Sequence, residues 1–292
     1  EPHAYYRNQS LSSRVVGFDP EPEEHLRRVE AAIGTIETSK LEKVVLARAV
    51  DIEFPEAIDP RLVAARLIDL SANRDGFIAD LSPAGRPGAM LVGSSPEVLV
   101  KRQGSTVSAF PLAGSSPRRA LAAEDHLAGQ DLLHSSKDLH EHAFVVDHLR
   151  RALTPLCERL DIPDVPQLIS TNEMWHLGTP ISGTLKDKDL TALELALAVH
   201  PTPAICGTPA EAAQALIETA ETDRGFYAGA VGWCDSSGDG EYMVAIRCAE
   251  VAGDGLSARA WAGGGIVGDS DAQAELEETT AKLRTILKAL SL

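Results

Sequence analysis

Residues 226–251, FYAGAVGWCD–SSGDG–EYMVAIRCAEV, limit the fold more than any other stretch. Two runs of β-branched, aromatic and small apolar residues flank a short turn of Ser, Gly and Asp. That pattern closes an antiparallel hairpin and leaves no room for a crossover helix. LSARAWAGGG follows at once and reads as a third strand. Strands that succeed one another directly, set between helical segments, indicate α+β layering with large antiparallel sheets rather than a run of βαβ units.

The remaining segments fit that frame. PEEHLRRVEAAIGTIETSK (22–40) places Leu26, Val29, Ile33 and Ile36 on one helical face. EKVVLARAVDIEF (42–54) is a strand, and DPRLVAARLIDL (59–70) is a helix with Pro in its first turn. FIADL, AMLVGSS and EVLVKRQ are short strands; GSTVSAFPLAGSS (104–116) reads as strand, then loop. SSKDLHEHAFVVDHLRRALTPLCERL (135–160) is expected to be one long helix, Ser-capped and kinked at Pro155. EMWHLGTPISGTL (173–185) suits a strand interrupted by glycine. LTALELALAVH (190–200) and PAEAAQALIETAE (209–221) are amphipathic helices separated by prolines, and GDSDAQAELEETTAKLRTILKAL (268–290) is a closing, capped helix. Residues 1–20 are expected to be irregular. No repeat, low-complexity segment or linker divides the chain, so residues 1–292 are taken as a single domain.

Composition narrows the function. The net charge of −16 argues against broad binding to nucleic acid or an anionic membrane, but a local cationic cluster can still hold a small anion. No apolar run approaches the ~20 residues that span a bilayer. The four cysteines, Cys157, Cys206, Cys234 and Cys248, show no C-x-x-C spacing and read as reduced thiols of a cytoplasmic protein.

Two acidic rows carry the chemistry. In AELEETTAKL (274–283), Glu275, Glu278 and Lys282 share a stripe beside the apolar stripe Leu276, Thr280, Leu283, Leu287 and Leu290. Alone, Glu278 and Lys282 read as a surface i,i+4 pair. Preceded by Gly263, Gly264 and Gly265, read as a turn between strand and helix, the row becomes a candidate anion and metal site. Asp138 and Glu141 form the second row, beside Leu139, Ala143, Val146 and Leu153, and hard carboxylate oxygens suit Mg²⁺. His134, His140, His142 and His148 raise zinc as an alternative, though neither H-E-x-x-H nor its inverse is present. Lys43, opening a strand, is either a snorkelling lysine or a desolvated base. Glu97 is either an exposed strand-end carboxylate or a general acid. Arg247, inside an apolar strand, needs a partner, and a substrate carboxylate fits its fork.

KVVLAR, SPEVLV, PLAGS, KDLHEHAFVVDHL, HPTPAICGTP, GWCDSSGDGEYMVAIRCAEV and AGGGIV followed by ExxETTAK occur in that order. Together they resemble the chorismate-utilising enzymes, and HPTPA with VGWCDSSGDGE is most similar to isochorismate synthases. The likeness covers roughly residues 40–290; relatives carry a longer N-terminus, so a preceding segment is expected. The resemblance implies a single domain of large antiparallel sheets sandwiched by helices, the substrate chorismate, and one Mg²⁺. It implies Glu141 and Glu278 as the main metal carboxylates, supported by Glu275 and by Asp138, which is often Glu in relatives. Lys43 matches the base that activates water at ring C2, and Glu97 the acid that protonates the departing C4 hydroxyl. Arg247, Tyr227, Lys282 and the amides of Gly263 and Gly265 match the carboxylate binders. Gly114 and Ser115 match a loop beside the ring, and His176 lies near the reacting face. Lys43 goes with water as nucleophile, and PLAGS lacks the lysine of aminodeoxychorismate enzymes, so no glutamine amidotransferase subunit is expected. A monomer is the default. Ala204 and Ile205 resemble the pattern that stops at isochorismate, which feeds siderophore, salicylate or menaquinone synthesis. The alternatives are a salicylate synthase, which goes on to eliminate pyruvate, a non-catalytic chorismate- or metal-binding relative, and a zinc hydrolase built on His140 and His142.

Overall fold

The computed structural model describes residues 10–292. In chain order its strands are β1 (Arg14–Asp19), β2 (Lys43–Glu53), β3 (Gly76–Asp80), β4 (Met90–Ser94), β5 (Val98–Gln103), β6 (Thr106–Phe110), β7 (Leu112–Pro117), β8 (Cys157–Asp161), β9 (Gln167–Ser170), β10 (Met174–Gly178), β11 (Ile181–Leu185), β12 (Gly207–Thr208), β13 (Ala230–Cys234), β14 (Gly240–Val244), β15 (Cys248–Val251) and β16 (Ser257–Ile266). The helices are α1 (Pro22–Thr38), α2 (Pro60–Leu70), α3 (Ala122–His134), α4 (Ser136–Leu153), α5 (Ala192–Val199), α6 (Ala210–Ala220) and α7 (Ala272–Ala289).

Every strand pair is antiparallel, as the hairpin signals require. One sheet runs β1-β2-β16-β15-β4-β3 with β12 beside β2; a second runs β13-β14-β5-β6-β11-β8; β7-β10-β9 form a third, small sheet. The main core lies between them, where Val44 and Leu46 of β2, Val100, Val107 and Leu185 of the second sheet, and Leu149, Leu153 and Leu195 from helices are all buried. A second cluster packs α2 and the C-terminal half of α7 against β2, β15 and β16.

Four times the chain steps from one sheet into another across three residues or fewer. β4 passes to β5 through Ser95–Glu97, β6 to β7 at Pro111, β10 to β11 through Thr179–Pro180, and β14 to β15 through Ala245–Arg247. The crossings are tied in pairs. Ser94 N–H donates to the Arg247 carbonyl at 3.1 Å and Val244 N–H to that of Glu97 at 3.1 Å, while Thr179 N–H donates to Pro111 at 3.3 Å. These bonds satisfy main-chain groups that the interrupted ladders would leave buried and unpaired.

Several local expectations are corrected. Residues 14–19 are a strand rather than irregular chain; residues 1–9 lie outside the described part. Residues 112–117 are a strand, not a loop, because they pair with β10. The long helix ends at Leu153, before the proline, and Cys157–Asp161 turns into a sheet strand. Residues 173–185 are two strands in two sheets, split at Thr179–Pro180. EYMVAIRCAEV is likewise two strands, so Arg247 sits in the break, at φ 51, rather than inside a strand. Helix α3, whose amphipathic pattern is weak, was not anticipated at all.

Leu153, fully buried at the end of α4, tests this packing. Leu153→Ala is expected to lower the unfolding free energy by about 2–5 kcal/mol in urea denaturation, and an unchanged midpoint would contradict its placement.

Candidate active site

The sheet crossings meet at one cavity. Pro96 and Glu97 come from the first crossing, Leu112 to Ser115 from the second, His176 from the strand entering the third, and Ile246 and Arg247 from the fourth. Ala204 and Ile205, Tyr227, Gly263 and Gly265 of β16, Glu141 of α4 and Lys282 of α7 complete the expected part of the wall. Lys43, Asp138, Glu275 and Glu278 do not line it; they stand behind Glu141, Gly265 and Lys282.

Helices α4 and α7 aim their N-terminal turns at this place. Ser135 caps α4 and its hydroxyl donates to Asp138; Asp271 caps α7. The carboxylates are not at the edge of the buried faces, as the apolar spacing suggested, but inside them. Asp138, Glu141, Glu275 and Glu278 are all buried, whereas Ala143 and Thr280 are exposed. Of these, Asp138 and Glu275 lie in the first turns, where the positive dipole ends favour a carboxylate.

Three ammonium groups answer these carboxylates. Lys43 Nζ, fully buried and therefore not snorkelling, is 3.1 Å from Glu141 Oε1. Lys282 Nζ contacts Glu278 Oε1 and donates to the Gly263 carbonyl at 3.0 Å. Lys137 Nζ lies 2.8 Å from Glu275 Oε1, 3.7 Å from Asp138 Oδ1 and 4.0 Å from Glu141 Oε2. Burial works against the charge of Glu278, but Lys282 and Lys137 outweigh it and hold the carboxyl below its ordinary range. Burial and the nearby Glu278 charge push Glu275 up, and burial raises Asp138.

The glycine triplet is not a turn; it is paired with Ala47, Leu46 and Val45 inside β16. Its use is space and an open edge. A Cβ on Gly265 would sit 2.0 Å from Glu141 Oε1, so only glycine lets that carboxylate reach the strand. Because the Gly263 carbonyl faces Lys282 rather than β2, the main chain of Gly263 and, by alternation, of Gly265 is turned to the cavity side. Gly114, at φ 78, occupies a conformation that favours glycine, with Asp138 only 3.1 Å from where a Cβ would be.

At the opposite wall, burial drives Glu97 up to about 7 despite the Leu112 amide and the nearby Lys43, Lys282 and Arg247 charges. Arg247 is lowered to about 10 by burial and stays a cation. Its Nη2 donates to His176 Nε2 at 3.3 Å, which leaves the proton of a neutral imidazole on Nδ1; burial and Arg247 hold His176 well below its usual value. Burial raises the Tyr227 phenol, which stacks on Trp261 at 5.9 Å between ring centroids. Trp261, Val45, Leu112 and Ala113 line the cavity without having been foreseen, since apolar strand residues carry no chemical signal. Arg224 was also missed. It pairs with Glu221 and donates to the carbonyls of Ile205 and Val45, fixing the 204–206 loop against β2.

The histidines are engaged elsewhere. His142 bonds Ala113 O and Thr179 Oγ1 and is held at about 4 by burial, while His134 and His148 contact main-chain carbonyls and His140 packs on Phe144. The zinc reading has no ligand set here. The all-oxygen donors of Asp138, Glu141, Glu275 and Glu278 suit a hard divalent cation, and Asp138 Oδ1 and Glu275 Oε2 are buried without a hydrogen-bond partner. Among the described residues no three acidic, histidine or cysteine groups are already gathered around a vacant centre, because lysines lie between the carboxylates.

The chain matches the family model described as chorismate binding enzyme over residues 4–291. A Mycobacterium tuberculosis (strain H37Rv) protein provisionally named isochorismate synthase MenF is 49% identical over 281 residues, 95% of this chain and 76% of that one. Isochorismate synthase DhbC of Bacillus subtilis is 46% identical over 274 residues, 93% of this chain and 68% of its own. The crystal structure of a Bacillus anthracis protein, provisionally a 2,3-dihydroxybenzoate-specific isochorismate synthase DhbC, matches with TM-score 0.92 at 41% identity, over 97% of this chain and 76% of that one. The menaquinone-specific isochorismate synthase MenF of Escherichia coli matches with TM-score 0.84 at 26% identity, over 97% and 64%.

The burial of Glu97 gives the fold a pH dependence of definite sign. The folded state holds the proton up to about 7 and the unfolded chain only to the ordinary 4.5, so stability falls as pH rises through that window. Glu97→Gln is expected to be more stable than the parent at pH 8 by up to about 3 kcal/mol, shrinking to nothing near pH 4.5. Denaturant curves with the same offset at both pH values would refute the buried carboxyl.

Proposed function

The chain belongs to the chorismate-binding enzymes, and from that membership we propose the activity of an isochorismate synthase. It isomerises chorismate to isochorismate, adding water at ring C2 while the C4 hydroxyl departs. The observation that carries this reading is a carboxyl held near neutrality, Glu97, in the wall of a cavity that Arg247 and Lys282 also line, with the buried Lys43 just behind Glu141.

The roles follow from the chemistry. Water gains nucleophilicity by losing a proton, and Lys43, just behind Glu141, is the base assigned to take it. For that its nitrogen must first give up the proton that pairs it with Glu141, 3.1 Å away. The C4 hydroxyl leaves as water after gaining a proton, and Glu97, protonated in a large fraction of molecules at neutral pH, supplies it. Arg247, Lys282 and the Gly263 and Gly265 amides receive the substrate's two carboxylates. Tyr227 stays a phenol and offers its O–H, His176 holds Arg247 in place, and Ala204, Ile205, Gly114 and Ser115 shape the wall. Glu141 and Glu278, backed by Glu275 and Asp138, are suited to hold Mg²⁺, which when bound neutralises the ring carboxylate. With water as nucleophile, no ammonia-supplying subunit is needed, and one chain contains every group invoked.

Incubation with chorismate and Mg²⁺, followed by chromatography, is expected to yield isochorismate; salicylate and pyruvate instead would make the chain a salicylate synthase. Lys43→Ala is expected to lower kcat by about 10²–10⁴ while calorimetry still detects chorismate binding. Full turnover in that variant would remove Lys43 from its role.

A further inference from the structure

Lys137 was not among the anticipated site residues, and it does not touch the cavity. Its ammonium nevertheless lies between the two acidic helices, within 4.0 Å of Glu275, Asp138 and Glu141. We propose that Lys137 is a built-in counter-cation of this cluster, and that a divalent ion is taken up by displacing its ammonium, so that Lys137 sets how tightly the ion is held. The inference rests on the reading that Glu141 and Glu278 hold Mg²⁺.

Buried carboxylates cannot be left without positive charge, so the cluster needs a cation whether or not a metal is present. Of the three lysines, only Lys137 is built to leave. Lys43 is sealed at 0% exposure, and Lys282 is fastened to both Glu278 and the Gly263 carbonyl. The Lys137 side chain is 22% exposed and starts from the first turn of α4, so its flexible stem can swing to solvent without moving the helix. Its single charge also leaves the site unfinished, since Asp138 Oδ1 and Glu275 Oε2 accept no hydrogen bond. A small ion of higher charge and more coordination positions completes them. An ammonium and a divalent ion packed within a few ångström among the same oxygens repel each other, so one occupant excludes the other.

The test uses the intact chain and Mg²⁺ alone. Brief acetylation with acetic anhydride, read by mass spectrometry, is expected to label Lys137 several-fold more when Mg²⁺ is saturating, with exposed Lys40 unchanged as control. By calorimetry, Lys137→Met is expected to bind Mg²⁺ about tenfold more tightly than the parent, whereas Lys137→Arg, which keeps the charge, is not. Unchanged Lys137 labelling while Mg²⁺ binds, or no tightening in Lys137→Met, overturns the displacement role and leaves the metal site standing. A parent chain that binds no Mg²⁺ overturns both. The labelling arm needs no variant and so decides the matter even if Lys137→Met fails to fold.

Discussion

Four carboxylates and three ammonium groups are packed out of water where the first turns of α4 and α7 meet β16. Isolated charges in such a place would be prohibitively unfavourable, and an ion pair there is at best a balance between desolvation and attraction. The two helices are arranged to tip that balance. Each brings its N-terminal dipole to one of its acids, Asp138 on α4 and Glu275 on α7, and each reserves its later turns for apolar packing: Val145, Leu149 and Leu153 on α4, Leu283 and Ile286 on α7. The hydrophobic halves anchor the helices in the core, and the polar halves are thereby held at fixed positions.

The opposite wall depends on a different device. A continuous strand spends its main-chain groups on its ladder and points side chains to the faces of its sheet. Where the chain crosses between sheets, the ladder stops, and side chains such as Glu97 and Arg247 are delivered into the gap between layers. Arg247 adopts a left-handed backbone to do so, a conformation that non-glycine residues rarely hold unless the surroundings enforce it. The paired hydrogen bonds between crossings supply that enforcement. Precision at the reacting wall thus comes from two interrupted sheets bracing each other, not from one rigid element.

The hairpins, the capped helices and both acidic rows are legible in sequence because periodicity and turn chemistry are local. The crossings are not, because nothing local marks the change of sheet: EYMVAIRCAEV alternates like one strand although its halves lie in two. The burial of the acidic rows was misjudged for a related reason. Leucine spacing on a helix assigns the core to apolar residues, whereas here Glu275, Glu278 and Thr279 face inwards because a charged site lies opposite. Lys137 escaped notice because a lysine beside an aspartate in a helix's first turn looks like surface; only the approach of α7 makes it a bridge.

The electrostatics also reconcile an acidic protein with a doubly negative substrate. The net charge of −16 is a property of the whole chain, and solvent and salt screen most of it beyond about 10 Å. The charged groups that line the cavity are Arg247, Lys282 and Glu141, with Lys43 3.1 Å behind Glu141, Glu97 near neutrality and His176 uncharged, so the balance toward the reacting ring is positive. Asp138, Glu275 and Glu278 stand one layer back, paired with lysines, and Glu141, which reaches the wall, is answered by Lys43. The ordering matters more than the total: two cations and one paired carboxylate meet the cavity, and the other three acids stand behind them. Exchanging a cation among those rear acids alters the field at the ring without dismantling the wall that meets the substrate, which separates the control of charge from the control of shape.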